Sequence, residues 1–317
     1  MRQILRPILA VPLLLAGVSA PAAAQYATPD SARIETADVG RFFEAAGALP
    51  SATTLRDSAR VLFERYYYPG SDGLLDFIER RVGSTFQLLA QIRNRPRYYA
   101  HLPRSLGGLH LIAPRIREGF DRFEGVWPEA VFADVYFVIG RMNSGGTTSQ
   151  DKLLIGAEMY GRDAAAPTEE LSEWEARVLR DTGMVVAIVV HELMHVNQTP
   201  LPGANATVLA QALREGGADF VAELVTGRNI NDHVHAWANP REHEVWQEFQ
   251  GAMHGREFGR WFGSSGEAGR PPDLGYYVGH RIAKALYDRS PDKRRAIGEI
   301  LRFTDAKAVL AASGYSP

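Results

Sequence analysis

Apolar positions in the first half of the chain recur at helical spacing. Leu55, Ala59, Leu62 and Phe63 share a face, and Phe77, Val82, Phe86, Leu88 and Leu89 are expected core positions of a second helical stretch over 74–91, so 41–124 predicts helices. Tyr66-Tyr67-Tyr68 runs into Pro69-Gly70, which reads as a helix stop beside a packed aromatic corner. The pattern changes at Pro128. Residues 131–139 (VFADVYFVI) are rich in β-branched and aromatic side chains, and 153–160 is a second apolar run of strand length. The segment Asn143-Ser144-Gly145-Gly146-Thr147-Thr148 between them is turn-forming, so a small sheet is expected.

Helical pattern returns after Pro167. Residues 169–181 are amphipathic, and 183–198 is apolar almost all round from Val185 to Val190, which predicts a helix buried in the middle of the fold. A helix over 207–226 follows, then a polar connection, a helix near 241–254, a Gly/Pro-rich loop over 263–273 and two or three helices over 276–313. The expected class is mainly α with a small β-sheet (α+β). The expected organisation is a leader over 1–24, a poorly ordered polar arm over 25–39, a helical subdomain over 40–127 and a catalytic region over 128–317.

The leader expectation rests on Arg2 and Arg6, an apolar run from Ile8 to Val18, and the small residues Ala22-Ala23-Ala24 before Gln25. The run is shorter than the ~20 residues a spanning helix needs. Export to the periplasm or outside the cell is therefore expected, with no stable membrane anchor after cleavage. Removing Arg2 and Arg6 with the leader takes the formal charge from −2 to −4, which gives no electrostatic case for nucleic acid. The absence of cysteine excludes a lipoprotein anchor, disulfides and thiolate metal ligands.

Candidate chemistry centres on His191-Glu192-Leu193-Met194-His195. On a helix, histidines four apart project from one face and can reach one ion, while the glutamate lies beside the position a water would take. A catalytic zinc normally has three protein ligands and one open position. Glu215 is the candidate third ligand, on the next helix and separated from His195 by 19 residues. Asp219 shares its face one turn on, where it would orient the His191 ring. Two carboxylates facing a buried, valine-rich helix are costly unless a cation lies between them. Gly216 and Gly217 would let the two helices approach closely.

The pair HELMH and EGGAD resembles the HExxH…ExxxD pattern of gluzincin-type zinc metallopeptidases. The wider order is strand, glycine-rich turn, strand, histidine helix, glutamate helix and Gly275-Tyr276-Tyr277-Val278-Gly279. It resembles the predicted zinc-dependent protease family related to the gliding-motility protein GldB. Lipid anchoring, found in GldB-like members, is not carried over because the chain lacks cysteine. The resemblance implies a zincin-like domain, Zn2+ held by His191, His195 and Glu215, and hydrolysis of a peptide or protein substrate with Glu192 as general base. Zinc peptidases of this type draw a Tyr or His from downstream to stabilise the oxyanion. Tyr277 and His280 are the first candidates here, with Tyr276 next.

A substrate is expected to lie as an added strand along 153–158, with Ile155, Gly156 and Ala157 as the edge and Gly145 and Gly146 leaving room for its backbone. His233 and His235 are expected as exposed loop histidines rather than a rival metal site. The alternative reading is a zinc-binding envelope or assembly protein that has lost turnover on a peptidase-like scaffold. Glu192 argues against it, since a purely structural site has no use for a base beside an open position.

Overall fold

The computed structural model describes residues 25–149, 151–201, 206–263 and 269–317. The leader expectation lies outside these residues, as does part of the expected loop over 263–273. The fold is mainly helical with one four-stranded sheet, the α+β class expected.

Helices α1 (Ala37–Ala48), α2 (Leu55–Leu62), α3 (Asp72–Phe77), α4 (Thr85–Asn94), α5 (Pro96–Ser105) and α6 (Ala113–Val126) precede the main strands. Their starts are written in short polar side chains. Thr54 and Ser71 accept hydrogen bonds from amides of the first turns of α2 and α3, and Ser84 with Gln87 forms a capping box on α4. Tyr66 is buried and its hydroxyl donates to the Ile139 carbonyl, so the aromatic corner locks onto the sheet. Tyr68 points away, 80% exposed. Phe86 and Phe63 are also about half exposed, because the helices turn those positions away from the core their spacing suggested.

The sheet contains β1 (Ile34–Glu35), β2 (Asp134–Val138), β3 (Gly146–Ser149) and β4 (Lys152–Gly156), in spatial order β1-β2-β4-β3. Strands β1, β2 and β4 are parallel, and β3 runs antiparallel to β4. Every residue of β2 is buried, as expected of a strand enclosed on both faces.

The segment expected as a loose arm is tied down instead. Tyr26 exchanges backbone hydrogen bonds with Phe132, Ile34 and Glu35 pair with β2, Arg33 forms an ion pair with Asp134, and Arg117 donates to the carbonyls of Pro29 and Ala32. Backbone pairing stabilises this polar stretch where side-chain hydropathy does not.

After the sheet come α7 (Glu173–Val178), α8 (Val185–Asn197), α9 (Val208–Thr226), α10 (Asp232–Ala238), α11 (Glu242–Ala252), α12 (Leu274–Arg289), α13 (Lys293–Leu301) and α14 (Ala306–Ser313). Helix α7 is shorter than the amphipathic pattern over 169–181 suggested, and α10 forms where a polar connection was expected. Helix α8 packs along β3 and β4 and against α6 and α9, and is buried on most sides. Asn197, at its last turn, accepts from the Val131 amide and donates to the Val131 carbonyl, fixing the helix end to the start of the strand region.

Candidate metal centre

Two helices and one strand edge build the site. His191, Glu192 and His195 project from α8, and Glu215 and Asp219 project from α9 packed beside it. The Nε2 atoms of His191 and His195 are 3.2 Å apart, and Oε2 of Glu215 lies 3.2 Å from His195 Nε2 and 3.8 Å from His191 Nε2. A circle through these three atoms has a radius of about 2.0 Å, matching zinc–nitrogen and zinc–oxygen bonds of about 2.0–2.2 Å. The three side chains are only 4%, 10% and 12% exposed. Among the described residues no other group of three or more His, Asp or Glu ligands converges in this way.

Each ligand is held by a further side chain. Asp219 Oδ1 lies 2.7 Å from Nδ1 of His191, off the line of a regular hydrogen bond, and its charge there favours a proton on Nδ1 and so the tautomer whose Nε2 lone pair points at the centre. Asn231 donates to the other Asp219 oxygen. Gln198 Oε1 is 2.8 Å from Nδ1 of His195, and the Gln198 amide nitrogen donates to the Arg214 carbonyl on α9. Gln211 donates to Oε1 of Glu215, leaving Oε2 to the centre. Asp219 was read from the sequence in this role. Gln198, Gln211 and Asn231 were not, although Gln211 stands one turn before Glu215 and its spacing was the available signal.

The electrostatics suit a cation. Burial pushes the Glu215 carboxyl up, but the imidazoles of His195 and His191 outweigh it and hold it down at about 2. Burial pushes the His195 imidazole down, and the Glu215 and Glu192 carboxylates overcome this and raise it to about 9. The cluster therefore draws a positive charge into a dry place, and a divalent ion would meet the same field. Donor set, spacing and field fit a divalent metal ion, zinc among them.

Glu192 is buried, and burial raises its carboxyl above the ordinary carboxylate range against the pull of both histidines. It lies against the start of β3: a Cβ on Gly146 would stand 2.5 Å from Oε1 of Glu192. Only glycine lets the strand edge come so close to this carboxylate. This corrects the expected substrate edge. Strand β4 is flanked by β2 and β3, so Ile155 and Gly156 are interior and buried, and Ala157 is buried just beyond the strand; the edge beside the centre is β3, which begins at Gly146. A short Gly-Thr-Thr-Ser stretch reads as a turn, and only pairing with β4 makes it a strand.

Tyr277 and His280 stand elsewhere. Tyr277 is buried with its ring 4.9 Å from His235 of α10, and His280 Nε2 bonds Glu223 while its ring meets His235 and Phe220. Tyr276 is the member of the trio at the centre. Its ring stacks on His191 with centroids 6.3 Å apart, and burial followed by the nearby Glu215 carboxylate pushes its hydroxyl well up. That hydroxyl has no hydrogen-bond partner among the described residues.

His233 and His235 are half-buried on α10 rather than exposed in a loop, and burial lowers both to about 4. Gly216 and Gly217 also act differently from expectation. A Cβ on Gly216 would lie 2.2 Å from the His280 amide nitrogen of α12, and one on Gly217 would meet Ile300 of α13. They admit the C-terminal helices to α9, not α8.

The chain matches no family model, no curated protein and no solved structure. The site therefore rests on its own geometry.

Proposed function

We propose that this protein is a zincin-like, zinc-dependent peptidase of the gluzincin pattern, exported by its leader and acting on a peptide or protein substrate. The observation that carries the reading is the convergence of His191, His195 and Glu215 on a space of zinc-bond radius, with a buried carboxylate and an open strand edge beside it. A structural zinc site has a closed ligand set; three protein ligands with a base alongside suit catalysis. No helix among the described residues is long and apolar enough to cross a membrane.

Zinc, when bound, supplies Lewis-acid polarisation of a water and of the scissile carbonyl. The protein's own residues divide the remaining work. The unpaired side of β3 offers backbone groups along which an extended substrate can add as a strand, held beside Glu192 by the close approach at Gly146. Glu192 takes the water's proton as the carbonyl carbon is attacked and hands it to the leaving amine. Its raised affinity for a proton suits that exchange near neutral pH. Tyr276, stacked on His191 with its hydroxyl uncommitted, is the donor for the developing oxyanion. Asp219 and Gln198 hold the two imidazoles so that both Nε2 atoms face inward.

Peptide-library cleavage by the zinc-loaded protein and by its Glu192→Gln variant tests this. The variant is expected to retain one zinc per chain and the fold while losing about 10²- to 10⁴-fold in kcat. Undiminished turnover in the variant would remove Glu192 from the chemistry, and a metal-free preparation with normal activity would sink the hydrolase reading.

A further inference from the structure

A cleft of about 320 Å3 opens beside the start of β3. Ser144, Gly145 and Gly146 form one wall, and Met184 and Ile188, the latter one turn before Glu192 on the same helix, line another. Arg180 and His233 close it. Arg180 is partly buried, and all of its hydrogen bonds go to uncharged acceptors. Its Nη1 donates to the carbonyls of Arg177 and Leu179, and its Nη2 donates to Nδ1 of His233. No carboxylate lies within ion-pair distance of it among the described residues, whereas the buried Arg95 has Glu175 at 2.6 Å. Asp273, a carboxylate on the same cleft, is committed to the Gly263 amide.

A guanidinium withdrawn from water with no carboxylate in ion-pair contact is costly, and burial pulls the proton affinity of Arg180 down against the weaker opposing pull of Asp232 and Asp181, which act on it from beyond contact distance. The charge is therefore poised for an anion that arrives with a ligand. Tyr160 connects this point with the chemistry. It lines the cleft, and its hydroxyl feels both the Glu192 carboxylate and the Arg180 guanidinium. A strand laid along β3 turns alternate side chains to opposite sides, one set of them toward this cleft. On the cleft's rim, Arg81 reaches Thr147 of β3 and likewise has no carboxylate partner among the described residues, so a second positive charge stands by the same edge.

We infer that Arg180 is a specificity-determining residue, reading a carboxylate of the peptide substrate in a subsite with the apolar Met184 and Ile188 on one wall and the polar Ser144, Asn231 and His233 around it. This rests on the peptidase reading and adds the substrate class: peptides with a glutamate or aspartate side chain, or a free chain end, next to the cleavage point. A planar guanidinium fixed by its own backbone hydrogen bonds meets a carboxylate with two parallel donors, which a lysine in its place would not reproduce.

The test uses the zinc-loaded protein and matched peptides carrying Glu, Gln or Lys at each position near the cleavage point, each as free acid and as C-terminal amide. At one position Glu is expected to exceed Gln by about 10- to 100-fold in kcat/KM, chiefly through KM. Arg180→Gln is expected to erase that preference while the Gln peptide is cut within about 3-fold of the parent rate. A preference for free acid over amide that vanishes in the same variant assigns the carboxylate to the chain end. Identical Glu/Gln and acid/amide ratios in parent and folded variant overturn the inference, as does a parent with neither preference, a result that needs no variant to fold. If no peptide is cleaved by any preparation, the peptidase reading fails on its own. Calorimetric binding of the same peptides then decides the subsite: Arg180-dependent binding of the acidic ones upholds it, and its absence overturns it.

Discussion

Asp219 stands behind His191 at 2.7 Å while Asn231 occupies its other oxygen, so the carboxylate biases the orientation of the imidazole. Asp219→Asn removes the charge and leaves the shape. Zinc affinity is expected to fall about 10- to 100-fold, measured by competition with a chromophoric chelator, with the helical content unchanged. An unaltered affinity would mean that the His191 ring is set by packing alone. At this scale the sequence was most legible where spacing is chemistry: residues four apart on a helix share a face, which gives His191 with His195 and Glu215 with Asp219. It was least legible at Gly275 to His280, because successive residues on a helix point about 100° apart and nothing local states the helix's rotation. That rotation is set where Gly279 meets α9, and it turns Tyr276 rather than Tyr277 or His280 toward His191.

Helices α9 and α12 touch backbone to backbone. A Cβ on Gly279 would lie 1.7 Å from the Ala212 carbonyl oxygen, and the neighbouring atoms are main chain that cannot swing aside. Gly279→Ala is therefore expected to destabilise by roughly 1–3 kcal/mol and to move α12, lowering activity through Tyr276. Gly40, in α1 with open space where its Cβ would go, provides the contrast. Gly40→Ala is expected to stabilise by about 0.5–1 kcal/mol. Thermal melts of the two variants check both signs. Helices α8 and α9 were readable nearly to their ends, since each is long and begins or ends at a clear polar or proline boundary. The sheet's order was not. Strand β3 has no apolar alternation, and which strand lies at the edge depends on the antiparallel return of β3 onto β4 rather than on either strand's composition.

Glu158 links local geometry to the stability of the whole molecule. It is wholly buried just after β4 and accepts hydrogen bonds from the amides of Gly140 and Met142, which shape the approach to β3. Burial raises its carboxyl to about 7 despite those amides. The unfolded chain loses this proton near 4.5 and the folded protein only near 7, so the unfolded state gains as pH rises between the two values. Glu158 thus lowers folding stability progressively across that window, by on the order of 3 kcal/mol at its upper end. Chemical denaturation from pH 4.5 to 7.5 is expected to show a slope that Glu158→Gln flattens; equal slopes would mean that the carboxyl ionises normally. The sequence placed this residue only at the end of a candidate strand edge, because its burial depends on the strands around it. The mainly helical class with a small sheet was visible in the change of period at Pro128. The docking of residues 26–35 onto the sheet was not, since backbone pairing leaves little trace in side-chain pattern.

In the proposed function His191, His195 and Glu215 together hold zinc. X-ray absorption at the zinc edge, on protein loaded with one equivalent, reads it directly. The expected shell has two imidazole nitrogens and carboxylate oxygen at about 2.0–2.2 Å, with one imidazole lost in His195→Ala. A shell of oxygen alone, or one unchanged by that substitution, would contradict it.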